Sequence, residues 1–168
     1  MHREVRKPLV IFTPKQPLRM VQSRSKVADL ESGSFQEVLD DPFVRDRQTV
    51  KRVVFCSGKV AWDAIAERDK RNAPAAVVRV EQLYPFPAEQ MLAVLKQYPN
   101  ATDVVWLQEE PGNMGPWQFV EHNFWSVKNL GYDFGHVARV ESGSPATGSK
   151  TVHDQELTDL MDETFAGH

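Results

Sequence analysis

Four short apolar segments, each followed by an amphipathic stretch, constrain the fold of this chain more than any other feature. The nearly continuous apolar character of these segments is typical of parallel strands that are covered on both faces. The stretches after them space apolar residues at helical intervals. The segments are RVVFC, AAVVRVEQL, DVVWLQ and HVARVE, at residues 52–56, 75–83, 103–108 and 136–141. Strand and helix alternating four times predict a largely parallel sheet with helices on both faces.

Several residues mark the ends of the remaining elements. Pro87 suits the first turn of the second helix, where a missing N–H costs nothing. The last helix is predicted over residues 151–165, with Thr151 as its N-cap and Asp154 completing an approximate capping box. Residues 35–40 fit a short edge strand or a helical turn equally well.

Three loops rich in turn-forming residues follow predicted strands, at residues 57–59, 109–115 and 142–149. Ligands and partners of parallel α/β sheets meet the loops at the carboxyl ends of the strands. These three loops, called the carboxyl edge below, are therefore the predicted functional edge of the sheet.

Composition excludes several classes of protein. A chain of 168 residues is long enough for one substantial core. Cys56 is the single cysteine, which rules out an internal disulfide framework and a cysteine-based zinc cluster and fits a reducing compartment. The five histidines have no metal-ligand spacing. No run of about 18 apolar residues and no apolar leader occurs, so a cytoplasmic location is expected, without a membrane span.

Charge is distributed unevenly along the chain. Residues 1–30 carry seven Lys and Arg against two acids, and residues 151–168 carry five acids and no Lys or Arg. A basic arm can meet nucleic acid or anionic lipid, but this one lacks clustered aromatic residues. A solvated surface or an intramolecular partner is the favoured interpretation, with no nucleic acid and no membrane as partners.

The stretch QEEPGNMGPW, at residues 108–117, places Glu109 and Glu110 side by side at a strand end. Neighbouring side chains of a strand point in opposite directions, so these two cannot act as a paired acid and base on one substrate atom. Asn113 and Gly115 tolerate a positive φ, and an exposed Trp117 beside the turn would anchor an interface. Glu109, Glu110, Asn113 and Trp117 are the candidate interface residues.

A second set of residues could bind an anion. Ser57 and Lys59 flank a glycine at a strand-to-helix turn, where backbone N–H groups favour an anion, although a simple turn explains the sequence as well. Arg52 and Arg79 border apolar strands and would converge on a phosphate or carboxylate if those strands are adjacent. Pairing with nearby acids such as Glu81 is the alternative.

Residue chemistry alone provides no self-sufficient active site. Neither a GxSxG elbow nor a GxGxxG fingerprint occurs in the sequence. Cys56, at the end of an apolar strand, is interpreted as a small buried hydrophobic residue rather than a nucleophile.

Five motifs, in order from about residue 3 to the end of the chain, carry a family resemblance: RKPLVIFTPK…LR, VKRVVFCSGKV, VVRVEQLYPFP, QEEPGNMGPW and SPATGSKTVH. Together they resemble the carboxyl-terminal region of thiamine-diphosphate-dependent 2-oxoglutarate dehydrogenases. The resemblance implies a transketolase C-terminal-like domain, a three-layer α/β/α fold whose mixed five-stranded sheet has one antiparallel strand. Residues 35–40 are the candidate for the fifth strand.

The resemblance also implies a domain organisation. Residues 1–20 would be a remnant of the last strand of a preceding pyrimidine-binding domain, with residues 8–13 as the strand itself. Residues 21–50 would be a linker with a possible edge strand, and residues 51–168 the transketolase C-terminal-like domain. Without its own sheet, the strand at 8–13 is expected to be disordered or to pair with a neighbouring molecule.

The reaction implied is the oxidative decarboxylation of 2-oxoglutarate in the tricarboxylic acid cycle, with transfer of the succinyl group to a lipoyl group of the acyltransferase component. The family works as a homodimer with thiamine diphosphate and Mg²⁺. Its diphosphate-magnesium motif, GDG followed by Asn-Asn, does not occur in this sequence. We therefore expect that the isolated chain neither binds the cofactor nor turns over substrate.

Some bacterial members of the family respond to acetyl-CoA or adenine nucleotides, and their corresponding arginines map onto Arg52 and Arg79. The sequence departs from the family at Met114 and Pro116, where Gln and Ala are usual. Two other functions remain open: a freestanding module that senses an acyl-CoA or a nucleotide, and a fragment of a pyruvate dehydrogenase or a ferredoxin-dependent oxidoreductase.

Overall fold

The computed structural model describes residues 8 and 10–166 of the chain. The chain divides into two compact units, Met1–Ser34 and Phe35–His168. The first contains a short 3₁₀ helix, Pro17–Arg19, and helix α1, Val27–Ser32. None of the described helices is long and apolar enough to cross a membrane.

Residues 10–13 of the first unit have no regular secondary structure, and Val10, Ile11 and Phe12 are 74%, 72% and 96% exposed. Leu9, which belongs to the same predicted strand, lies outside the described residues. The described part of the segment is therefore not a strand within this chain. Its origin as a remnant of another domain stays a prediction.

The second unit is built on a five-stranded sheet with the order β1-β3-β2-β4-β5. The four longer strands are parallel, and the two-residue β1 runs antiparallel to β3. The mixed sheet, including an edge strand within residues 35–40, is confirmed. The strands are β1 (Val38–Leu39), β2 (Arg52–Cys56), β3 (Ala75–Val80), β4 (Asp103–Pro111) and β5 (Asp133–Arg139).

Helices cover both faces of this sheet, as the three-layer prediction requires. Alternate strand residues enter two separate cores, because successive side chains of a strand point to opposite faces. Phe55 and Trp106 pack with α3, α4 and a 3₁₀ helix on one face, and Cys56 and Leu107 pack with α2 and α5 on the other. The helices are α2 (Val60–Arg71), α3 (Ala88–Leu95), α4 (Trp117–Phe124), the 3₁₀ helix Trp125–Leu130, and α5 (Lys150–Thr164).

The start of α5 corrects one prediction. Ser149, not Thr151, is the N-cap residue, with extended backbone at φ −111° and ψ 127°. The helix begins one residue earlier because Lys150 already adopts helical geometry, and its ammonium pairs with Asp154 one turn further on. Thr151 therefore lies inside the first turn. Similarly, Pro87 is the N-cap of α3 rather than its first helical residue.

The segment 35–50, predicted as a linker, packs into the second unit through a buried carboxylate. Asp41 is 2% exposed, and its side chain forms an ion pair with the buried Arg68 of α2. Its Oδ2 also accepts a hydrogen bond from the Val77 N–H at 2.8 Å, beyond the point where β1 ends. The Asp41 carboxylate thus takes over the role of a strand partner for β3.

We expect Asp41→Ala to lower the free energy of unfolding by about 3–5 kcal/mol, because the Arg68 guanidinium then stays buried without its main counter-charge. Urea unfolding at neutral pH measures the change. Asp69→Ala is the matched control, since Asp69 contacts the same guanidinium at 2.7 Å with a side chain that is 60% exposed. Its loss should cost at most about 1 kcal/mol. Equal effects of the two substitutions would contradict the assigned role of Asp41.

Candidate functional site

The strand order creates a switch point at the carboxyl edge. The chain runs from the central β2 to β3 on one side and then crosses to β4 on the other. Parallel α/β sheets bind ligands in the crevice outside the carboxyl ends of two neighbouring strands whose following connections lead to opposite sides of the sheet. Here that crevice lies between residues 57–59, after β2, and residues 109–116, at the end of β4.

An ion-pair cluster spans this crevice. The Lys59 ammonium lies 3.2 Å from Glu109 and also pairs with Asp63 in the first turn of α2. Partial burial acts to lower the pKa of Lys59, but the hydrogen bond to Asp63 and the charge of Glu109 outweigh it and raise that pKa. One ammonium between two carboxylates leaves no uncompensated positive charge for an anion. Lys59 alone therefore makes a poor phosphate site.

Glu109 and Glu110 point to opposite faces of β4, as predicted. Glu109 lies on the same face of β4 as Leu107, the face that packs against α2. From there the Glu109 carboxylate contacts Lys59. Glu110 is on the other side, beside the turn, with its Cβ 3.0 Å from the position that a Cβ on Gly115 would take. The two carboxylates cannot work as one catalytic pair.

The turn after β4 is organised by the buried side chain of Gln108, which is 2% exposed. Its Oε1 accepts hydrogen bonds from the Trp117 N–H at 3.0 Å and from Trp106 Nε1–H at 3.2 Å. Its Nε2 donates to the carbonyls of Met114 at 2.7 Å and Pro111 at 3.1 Å. One amide side chain thus binds both ends of the turn and supplements the backbone hydrogen bond from the Met114 N–H to the Pro111 carbonyl at 2.8 Å.

Gly115 closes the turn with a positive φ of 68°. A Cβ at this position would lie 3.0 Å from Gln108 Nε2, so the position excludes a side chain by both backbone conformation and space. The prediction of a positive φ is confirmed for Gly115. Asn113, which was also predicted to tolerate a positive φ, does not adopt one, because Asn72 is the only non-glycine residue with a positive φ among those described.

Asn113 instead fixes the position of a neighbouring loop. Its Nδ2 donates to the Ser142 carbonyl at 3.0 Å, and its Oδ1 accepts the Ser142 N–H at 3.2 Å. The two bonds join the turn after β4 to the loop after β5. These loops therefore form one continuous surface at the carboxyl edge.

Trp117 is not the exposed anchor that the sequence predicts. Its side chain is 7% exposed, and its ring stacks on His136 of β5 at 4.2 Å between centroids and packs against Phe134. As the first residue of α4, it faces the sheet rather than the solvent, because the Gln108 bond to its N–H sets the direction of the helix. Trp117 holds α4 on β5. Any interface at this turn would use its exposed neighbours.

Arg52 and Arg79 do not converge. The strands that carry them are adjacent, but Arg52 pairs in register with Ala75 whereas Arg79 pairs with Cys56. Four residues of strand, about 13 Å, therefore separate the two arginines. They lie at opposite ends of the sheet because both strands run in the same direction.

Arg52 contacts two partners at the amino edge of the sheet, where the parallel strands begin. Its guanidinium forms an ion pair with Asp103 at 2.6 Å and donates to the Thr164 carbonyl at 2.5 Å, near the end of α5. A cation at a helix carboxyl terminus satisfies unpaired carbonyls and complements the helix dipole. Arg52 therefore anchors α5 to the sheet, and it is removed from the anion-site candidates.

Arg79 remains at the carboxyl edge, close to the β2 turn. Its guanidinium lies over the Trp62 ring at 4.8 Å from the centroid and contacts Glu81 at 3.4 Å, the alternative that the sequence left open. Its side chain is 24% exposed. Cys56, its register partner, is fully buried, and burial raises the pKa of that thiol to about 12, so the interpretation as a buried hydrophobic residue is confirmed.

The described residues do not fit a magnesium-diphosphate centre. Within residues 8 and 10–166, no three His, Cys, Asp or Glu side chains are grouped so that they could hold a metal ion. The carboxylates Asp63 and Glu109, which lie nearest the switch point, are engaged by Lys59. What this edge offers chemically is a rigid, hydrogen-bonded surface rather than an acid, base or nucleophile.

Gln108 and Asp41 are the important residues that sequence reasoning missed. Gln108 interrupts a nearly continuous apolar strand, and a polar residue at such a position is a signal for a buried hydrogen-bonding role. Asp41 has no comparable signal, because its partners Arg68 and Val77 are distant in sequence.

Comparison with known proteins gives a consistent result. The family described as 2-oxoglutarate dehydrogenase C-terminal matches residues 24–165. The 2-oxoglutarate dehydrogenase E1 component of Cupriavidus necator is 44% identical over 167 residues, covering 99% of this chain and 18% of the relative. The mitochondrial 2-oxoglutarate dehydrogenase of Caenorhabditis elegans is 42% identical, covering 95% and 16%. The chain thus spans less than a fifth of the length of these relatives.

We expect Gly115→Ala to lower the free energy of unfolding by about 2–4 kcal/mol, through left-handed strain and the contact with Gln108. Gly58→Ala is the matched control, because Gly58 also has a positive φ, 82°, but a Cβ there would meet no atom within 4 Å. It should cost about 1–2 kcal/mol, from backbone strain alone. Thermal and urea unfolding measure both, and equal costs would rule out the steric role of Gln108.

Proposed function

Because this chain belongs to the family of 2-oxoglutarate dehydrogenase C-terminal domains, we propose that it serves as that domain in the E1 component of a 2-oxoglutarate dehydrogenase. The proposed reaction is the oxidative decarboxylation of 2-oxoglutarate, with transfer of the succinyl group to a lipoyl-bearing acyltransferase. Thiamine diphosphate supplies the carbanion chemistry of such reactions. Since the described residues do not fit its magnesium centre, we assign its binding to other parts of the enzyme.

The role that we propose for this domain is to brace the homodimer and to present the carboxyl edge to the remaining domains. The observation that supports this role is the fixed shape of the turn after β4, because the Gln108 side chain forms hydrogen bonds to the backbone at both ends of the turn. Asn113 and Gly115 are exposed on that turn, next to Glu109 and Glu110. A prearranged turn loses little conformational freedom when it binds a partner. We place this function in the cytoplasm.

The family assignment favours the 2-oxoglutarate branch over a pyruvate dehydrogenase or a ferredoxin-dependent oxidoreductase. A freestanding module that senses an acyl-CoA or a nucleotide is the second candidate. The observation that favours it is the partly exposed Arg79, stacked on Trp62 beside Ser57 at the carboxyl edge. In either case, the effector site that we propose contains Ser57, Lys59 and Arg79, without Arg52.

An exchange experiment tests the proposed function. The corresponding region of the Cupriavidus necator E1 component is replaced with this chain, and 2-oxoglutarate-dependent turnover is measured in the assembled complex. We expect the chimaera to be active, because 44% identity over 99% of the chain supports the same packing surfaces. The same relative with this region deleted is the control and should be inactive. A folded but inactive chimaera would argue against the proposal.

The isolated chain should neither bind thiamine diphosphate nor decarboxylate 2-oxoglutarate. Spectroscopic titration of the 168-residue chain with thiamine diphosphate, with and without Mg²⁺, measures binding. Stoichiometric, magnesium-dependent binding would show that the cofactor site lies within this chain after all.

The effector proposal is tested by calorimetry with acetyl-CoA. We expect Arg79→Ala to weaken binding about tenfold or more, because it removes a charge-assisted contact to the ligand. Arg71→Ala is the matched control: its side chain is 29% exposed, similar to Arg79, and is also paired with a carboxylate, but it lies on α2 away from the edge. Equal affinities of the wild type and Arg79→Ala would exclude this site.

A further inference from the structure

The two lateral edges of the sheet, formed by β1 and β5, differ in how they are protected. β1 is two residues long and antiparallel, and the Asp41 carboxylate beside it accepts the Val77 N–H of β3. β5 has seven residues and pairs with β4 on one side, with no strand on its other side among the described residues. Open edges pair with other chains unless proline, charge or a very short strand protects them. The sequence FGHVA, which forms the middle of β5, contains no proline and no Asp, Glu, Lys or Arg.

The direction of the backbone shows what this free edge of β5 offers. The Asp133 N–H donates to the Thr102 carbonyl at 2.8 Å, and the Arg139 carbonyl accepts the Gly112 N–H at 2.9 Å, so both residues face β4. Backbone groups of successive strand residues point to opposite sides, so the odd-numbered residues of β5 face β4 and the even-numbered residues face away from it. The residues whose N–H and C=O groups point to the free edge are Phe134, His136 and Ala138.

Two copies of β5 are complementary to each other in one antiparallel register. With His136 opposite His136 of the second copy, the outward-facing residues lie opposite one another and form about six backbone hydrogen bonds. The same register places Asp133 opposite Arg139 of the second copy, on one face of the sheet, and twofold symmetry repeats this pair at the other end. Moving the register by two residues would place Asp133 opposite either Glu141 or Val137. Charge therefore selects the register that is centred on His136.

Arg139 has a donor that this pairing uses. Its Nη1 lies 3.4 Å from the Glu156 carboxylate, and its Nη2 lies 3.0 Å from Nδ1 of His153. Its Nε, the guanidinium nitrogen nearest to the backbone, is buried and has no hydrogen-bond partner among the described residues. The Cβ atoms of directly opposite residues are about 5 Å apart, so the Asp133 carboxylate of a second copy can reach the guanidinium. An arginine has five N–H donors and can add this contact to the existing ones.

An exposed apolar side chain next to the strand fits the same register. Val140 is 89% exposed, more than any other large apolar side chain described in the second unit. In the register centred on His136, it lies opposite Tyr132 of the second copy, a residue that packs against the core containing Phe134. Val140 and Tyr132 are both even-numbered, so they lie on the same face of the sheet. Pairing therefore removes Val140 from water in both copies.

We propose that β5 is a self-association edge, at which two copies of this chain pair antiparallel and join their sheets, with His136 at the twofold axis. The occupant is a second copy because the charged and apolar groups along the edge match their own counterparts. An unrelated extended peptide would gain only the backbone hydrogen bonds. The proposal goes beyond the proposed enzymatic function and does not rest on it, so an inactive chimaera would not bear on it.

Sedimentation equilibrium of the 168-residue chain tests the proposal. We expect a dimer whose population rises with protein concentration. Asp133→Lys should weaken dimerisation about tenfold or more, because it places like charges opposite each other at both ends of the paired strands. Asp159→Lys is the matched control: it makes the same charge change at an exposed acid of α5 and should change the dissociation constant less than about twofold.

Amide hydrogen exchange at several protein concentrations locates the contact. Protection of the Phe134, His136 and Ala138 N–H groups should increase with concentration, because they gain partners only in the dimer. The N–H groups of Gly135 and Val137 face β4, so they should be protected at every concentration. In Asp133→Lys they also show whether the strand is still folded, which separates loss of the dimer from loss of the fold.

Three results would overturn the proposal. The first is a chain that stays monomeric up to about 1 mM, and the second is equal weakening by Asp133→Lys and Asp159→Lys. The third is a dimer that Ile11→Asp abolishes and Asp133→Lys leaves intact, because the contact would then belong to the exposed segment at residues 10–13.

Discussion

Burial of β2 between β3 and β4 is the constraint on which the rest of the second unit depends. Val53, Val54 and Phe55 are fully buried, and their alternation divides the interior into two cores, one under α3 and α4 and one under α2 and α5. A strand buried on both faces has its hydrogen-bonding edges fixed by its two neighbours. The position of β2 therefore sets the register of β3 and β4 and places the loops that follow all three strands at one edge.

At that edge, a single amide side chain determines the shape of the surface. Gln108 continues the inward-facing row of Trp106, and at this depth its polar atoms must find partners. It finds them in the backbone of the turn, which brings α4 onto β5 through Trp117 and leaves Asn113 to join the loop after β5. Two loops that are separate in sequence become one surface as a result.

Charge pairing explains why this surface is better suited to contact than to chemistry. At the carboxyl edge, Lys59 is held by Asp63 and Glu109. Elsewhere in the unit the charges are paired as well, since Arg52 at the amino edge contacts Asp103 and the end of α5, and the buried Arg68 contacts Asp41. Lys59–Glu109, Arg52–Asp103 and Arg68–Asp41 each fasten one element of the fold to another. This agrees with a family in which the domain accounts for less than a fifth of the polypeptide.

The sequence by itself determined the elements and their local directions. The four strand-helix units, the burial of Cys56 and the divergence of Glu109 and Glu110 follow from residue patterns of period 2 or 3.6, which are local properties. The edge strand near residue 38 did not, because residues 35–40 fit a strand or a helical turn equally well and only the family resemblance favoured the strand. Tertiary structure alone decided the separation of Arg52 from Arg79, the burial of Trp117 and the pairing of Asp41 with Arg68. Each of these depends on strand register or on packing between segments far apart in sequence, where a pattern of neighbouring residues carries no information.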